Sequence, residues 1–191
     1  MTHLLFFNSG FSVAGVEIDI PTNDSLMQVF ISNSHIAECT VGIQVGTNGT
    51  SSPLVAVSVD QTTVSQMGSN GIEVFSGKAA VSNSVINQNI GAGAVVFDSD
   101  LDLFNNQINL NQLGVDVWAN SNVRLVGNDF SLNSVDIQCA VPLVLDSGNV
   151  VEGVIANGCV LLPVNQTTPA PPSGASTLVP FYLHSLLTLF A

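Results

Sequence analysis

The residues of this chain with types suited to chemistry are carboxylates and aromatic rings. Asp98, Asp116 and Asp136 follow one another along the sequence, and Glu73, Phe75 and Trp118, the single tryptophan, share their repeating context. A pair of carboxyl groups is the machinery of glycoside hydrolysis. One protonates the leaving oxygen and the other activates water, at a separation of about 6.5–9.5 Å in inverting enzymes. Asp98, Asp116 and Asp136 are the candidates for such an acid/base set. Two carboxylates stacked one strand spacing apart, about 4.8 Å, would instead suit Ca²⁺, and Asp116 and Asp136 are the pair for that role. The rings of Trp118 and Phe75, beside Glu73, suit stacking on sugar faces. Other chemistries lack their residues. His3, His35 and His184 are scattered, and no Gly-rich phosphate loop, Cys–His pair or Ser–His–Asp set is discernible.

Two recurring figures must position these residues. The first is small–apolar–polar–apolar: GVEI at 15–18, GIQV at 42–45, GIEV at 71–74, AVVF at 94–97, GVDV at 114–117 and SVDI at 134–137. The second runs between these copies: FFNSGF at 6–11, ISNSHI at 31–36, VDQTTV at 59–64, VSNSVI at 81–86, LFNNQI at 103–108, LVGNDF at 125–130 and LDSGNV at 145–150. Two figures keeping step at intervals of 20 to 29 residues indicate a repeat architecture. Alternation with period two, broken by Asn, Gly and Ser corners, reads as short strands and not as helix. One coil cannot bury its apolar face, but stacked coils can. Stacking the first figure puts Glu17, Gln44, Glu73, Val96, Asp116 and Asp136 in one outward column. Asp19, Gly46, Phe75, Asp98, Trp118 and Gln138 fall in the next. Val115 is expected inside with Ile72, Val95 and Val135. Arg124, outward on another strand, is expected above Asp102 as an ion pair between coils.

The corners within the second figure, after its first anchor, hold Asn8, Asn33, Gln61, Asn83, Asn105, Gly127 and Ser147, then Ser9, Ser34, Thr62, Ser84, Asn106, Asn128 and Gly148. Asn and Gly tolerate left-handed backbone, and stacked Asn side chains can bond from coil to coil. With these corners the chain resembles the right-handed parallel β-helix repeats of the pectin-lyase-like superfamily over residues 4–162. The expected fold is all-β: a right-handed single-stranded parallel β-helix of about six to seven coils with a short apolar C-terminal tail. The resemblance implies a substrate cleft on the strand that carries the acidic column. It does not extend to the enzymes' signatures. The NTD, DD, GHG and RIK set of polygalacturonases is missing, and no Arg on this face would serve as a pectate lyase's base.

Composition narrows the partners. Only Lys78 and Arg124 are basic in 191 residues, and the net charge is −12. Nucleic acid and anionic lipid are excluded for want of cations, and polyanionic sugars are disfavoured unless Ca²⁺ bridges the charges. No cofactor is expected, with Ca²⁺ the one candidate. Apolar residues make up 46% but aromatics only 6%, so the core must be aliphatic. Asn23, Asn48 and Asn165 open N-glycosylation sequons that fall between strand figures. Cys139 and Cys159 lie 20 residues apart, one coil step, and should stack, either as two small buried residues or as a disulfide. Met1–Phe7 reads as an incomplete first coil of a longer parent protein, or of one whose leader is absent here.

The expected organisation is a β-helix over 1–162, a Pro/Ser/Thr-rich linker over 163–177 and an apolar tail over 178–191. The tail either caps the open end of the β-helix or forms a lipid-anchor signal, which would be the only membrane attachment. The sequence supports a non-catalytic, extracellular or cell-surface module, structural or adhesive, with weak glycan binding. Its partner would be a polysaccharide or a surface protein. The alternative is part or remnant of a polysaccharide-active lyase or hydrolase acting through the acidic face.

Overall fold

The computed structural model describes residues 5–7, 14–18, 27–46, 55–75, 77–140, 143–145, 148–153, 155–156 and 159. The sequons at Asn23, Asn48 and Asn165, the linker and the apolar tail lie outside these residues. Among the described residues every strand pairing is parallel, and strands close in sequence do not pair with one another. The chain instead visits three sheets in rotation and returns to each one coil later. Sheet A has seven strands: Leu5–Phe7, His35–Ala37, Thr63–Ser65, Val85–Asn87, Gln107–Asn109, Asp129–Ser131 and Val150–Val151. Sheet B also has seven: Ala14–Ile18, Val41–Val45, Ile72–Val74, Ala92–Val96, Leu113–Val117, Val135–Cys139 and Ile155–Ala156. Sheet C has six: Met27–Ser32, Val55–Asp60, Lys78–Ser82, Asp100–Phe104, Asn122–Val126 and Val144–Leu145. This is an all-β, right-handed parallel β-helix.

Period-two alternation fills the core. Sheet A contributes the column Ile36, Val64, Ile86, Ile108 and Phe130, all fully buried. Sheet B contributes Ile43, Ile72, Ala94, Val115 and Ile137, which are also buried. Val115 therefore stacks on Ala94 and Ile137, not on Val95 and Val135. The two sheets approach so closely that the residue before this column is glycine in most coils. A Cβ at Gly93 would lie 2.8 Å from Ile108 Cγ2 and 2.7 Å from Gly114 O.

Each coil turns by single residues in the left-handed region. Asn33, Gln61, Asn83, Asn105 and Gly127 turn the C-to-A corner, all with φ between 48° and 65°. In the last coil Gly148, not Ser147, takes this role. The next residue points inward and builds a ladder. Ser84 N–H donates to Asn106 Oδ1, Asn106 N–H to Asn128 Oδ1 and Asn128 N–H to Asn149 Oδ1, at 2.9–3.0 Å. Their amides also donate to strand carbonyls, as from Asn106 Nδ2 to Val81 O at 2.9 Å. A second ladder occupies the A-to-B corner. Met67 N–H donates to Asn89 Oδ1, Asn89 N–H to Asn111 Oδ1 and Asn111 N–H to Asn133 Oδ1, at 3.0–3.1 Å. Both ladders satisfy corner amides that burial would otherwise leave without partners.

Candidate functional site

The outer face of sheet B carries the candidate site. Strand pairing places Glu17, Gln44, Glu73, Val95, Asp116 and Gln138 in one outward column. Beside it, at the strand ends, runs a second column. Phe75, Phe97 and Trp118 each donate their backbone N–H to the preceding coil, to Val45, Val74 and Val96 in turn. These three aromatic residues therefore sit on successive coils. The Phe97 and Trp118 rings lie 6.0 Å apart at 58°, a tilted pair. Such pairs add roughly 0.5–1.5 kcal/mol beyond the area they bury.

A shallow groove of about 320 Å³ runs between this aromatic edge and the A-to-B corner, lined among others by Asn70, Val95, Gln112 and Asp116. Trp118 forms its rim and is 48% exposed. The Trp118 indole Nε1–H donates to Asp116 Oδ2 at 2.9 Å, which fixes the ring against the strand. Burial pushes the Asp116 carboxyl above the usual carboxylate range, and hydrogen bonds from Trp118 and Gln138 offset part of that rise. Glu73 is buried, and Asn70 Nδ2 donates to its Oε1 at 2.7 Å.

A family model described as a right-handed beta helix region matches residues 14–165. The chain belongs to that family. No curated protein and no solved structure matches it.

Within this β-helix the three aspartates do not form a set. Asp98 is exposed at the left-handed B-to-C corner, with φ 50°, one residue beyond the aromatic column. The residue level with Trp118 is Phe97. Asp136 is fully buried. It stands in the register position of Gly114, where its side chain points into the corner. Its Oδ1 accepts from Asn133 Nδ2 at 3.0 Å and its Oδ2 from Gly153 N–H at 2.6 Å. The expectation that Asp136 stacks on Asp116 is corrected: Gln138 occupies that place. The Ca²⁺ pair is therefore not brought together. Among the described residues no three His, Cys, Asp or Glu side chains gather where a metal could sit.

Two substitutions caused the misreading. Val95 replaces the polar residue of the repeated figure, and Asp136 replaces its glycine. Each moves the apparent figure along the strand, by one residue and by two. The same shift hides Phe97 at the end of AVVF. Phe75, Trp118, Asp116 and Glu73 do share the face expected of them. Asp102 does lie beside Arg124 in register, but it also pairs with Lys78 at 3.6 Å, while the Arg124 guanidinium lies 5.5 Å from the centre of the Phe104 ring. Cys139 and Cys159 are joined as a disulfide with Cα atoms 5.0 Å apart.

Proposed function

We propose that this β-helix is a non-catalytic, extracellular or surface module that binds glycan on the outer face of sheet B. One observation carries the reading: Phe75, Phe97 and Trp118 occupy successive coils beside a groove containing Asp116, Gln112 and Asn70. Aromatic side chains on successive coils, with the Phe97 and Trp118 rings 6.0 Å apart, offer stacking surface to sugar rings. The neighbouring amides and carboxylate offer partners for hydroxyl groups. The face presents only side chains, because its inner strands are paired on both sides and offer no free edge for a peptide strand. The dispersal of Asp98, Asp116 and Asp136 supports binding over hydrolysis. The disulfide and the sequons support an oxidising compartment.

Trp118 is the chain's only tryptophan, so its fluorescence reports on the groove directly. Titration with a panel of soluble polysaccharides should give a saturable change that Phe97→Ala weakens. In Trp118→Ala, binding to the same polysaccharide immobilised in a gel should be lost. Release of reducing ends or of unsaturated product from any polysaccharide that binds would replace the binding reading with an enzymatic one.

A further inference from the structure

The groove has a charge and a ring surface that together specify its ligand more closely. Asp116 is partly desolvated at its floor, Glu73 is buried in the same column two coils away, and Phe75, Phe97 and Trp118 flank them. Among the described residues no Lys or Arg lies on sheet B to balance these carboxylates. The protein's two basic residues, Lys78 and Arg124, both lie on sheet C. His35 lies on sheet A. Net charge −12 adds a long-range field that draws cations in and turns anions away.

We infer that the glycan bound in this groove carries protonated amines: an amino-sugar polymer, at least partly free of N-acetyl groups. The inference rests on the glycan reading above and adds the sign of the ligand's charge. The ammonium group on such a ring meets two complementary partners here. Asp116 supplies a carboxylate whose lost hydration an ammonium restores. The aromatic faces attract the same cation through their quadrupoles, an effect that strengthens where water is excluded. Uronic-acid polymers meet the opposite field. A basic peptide would share the charge but has no strand edge to pair with and no flat rings to lay on the aromatic row.

The test uses the intact chain, Trp118 fluorescence and three β-1,4-linked oligomers of equal length, of glucosamine, N-acetylglucosamine and glucose, near pH 6 and about 50 mM salt. The glucosamine oligomer should bind at least about tenfold more tightly than the other two. Asp116→Asn should remove most of that preference, because it retains an acceptor for the Trp118 indole but no charge. Glu152→Gln, which removes one exposed charge away from the groove, should not. Equal affinity for the three oligomers would overturn the inference and leave the glycan reading standing. A glucosamine preference that survives Asp116→Asn, or falls equally in Glu152→Gln, would reduce it to general attraction between polyelectrolytes and overturn it. Tetralysine binding as tightly, and depending equally on Asp116, would assign the groove to basic peptides. Failure of all three oligomers, with some other polysaccharide still bound through Trp118, would overturn the amine alone. Failure of every polysaccharide would overturn both readings.

Discussion

Asp116 and Asp136 show how one residue type takes opposite roles one coil apart. Asp136 completes the second asparagine ladder, since Asn133 donates to one oxygen and the last coil's Gly153 N–H to the other. Asp136→Ala removes the acceptor from the half-buried Asn133 amide, which keeps its bond to Ile108 O, and from the exposed Gly153 N–H, so loss of these two bonds should cost about 1–3 kcal/mol in denaturant unfolding, and an unchanged midpoint would show that they contribute nothing. Asp116 is the reverse case. Burial raises its carboxyl, so the folded chain holds that proton more tightly than the unfolded chain. The stabilisation from this group is present below the ordinary carboxylate range and is lost as pH rises through the raised folded value. Asp116→Asn should therefore remove one component of the fall in stability on the high side of that range. A stability–pH curve identical to wild type there would sink the assignment. Asp60 works in the other direction. Hydrogen bonds from Ser82 and Asn83 lower it, so its contribution is lost as pH falls. The sequence places Asp116 correctly because glycine and valine flank it in the usual figure. It misplaces Asp136 because SVDI at 134–137 imitates that figure two residues early. Only three-dimensional register separates the two.

At the scale of strands and corners, the sequence shows the parts whose spacing is constant. The C-to-A corner always follows its strand directly, so Asn106 and Asn128 stand out as a ladder. The A-to-B corner precedes a connection of variable length, which hides the equally regular Asn89, Asn111 and Asn133. Asn111 accepts from Asn89 N–H, and its own amide donates to Ile86 O at 3.1 Å. Asn111→Ala should cost about 1–3 kcal/mol, comparable to Asn106→Ala. A much smaller loss would mean that water replaces the ladder at that corner. The inward strand column should tolerate less still. Val115→Asp places a carboxylate between Ala94 and Ile137 with no partner. It should cost several kcal/mol and unfold the surrounding coils, as read by loss of β-sheet circular dichroism. A folded Val115→Asp protein would show the register to be wrong.

For the molecule as a whole, the stacking of coils makes stability local. Each coil touches only its neighbours, so protection should fade toward an end whose strands are short. The last described coil is held by two-residue pairings in each sheet: Val144–Leu145 on Asn122–Val126, Val150–Val151 on Asp129–Ser131 and Ile155–Ala156 on Val135–Cys139. Two other ties compensate, the Asp136–Gly153 hydrogen bond and the Cys139–Cys159 disulfide. The disulfide closes a loop of 20 residues. For a loop of that size the chain-entropy model assigns roughly 3 kcal/mol to the cross-link, a large share of what a terminal coil can hold. Cys159→Ser, or reduction of the wild type, should therefore speed hydrogen exchange at Val150–Val151 and Ile155–Ala156. Exchange at the Val85–Asn87 and Ala92–Val96 strands should stay slow. Combining Cys159→Ser with Asp136→Asn, which replaces the acceptor for Gly153 N–H by a weaker one, should extend the fraying inward to Val135–Cys139. Uniform acceleration across all three sheets would show instead that the solenoid unfolds as one unit, and that the disulfide sets global and not terminal stability.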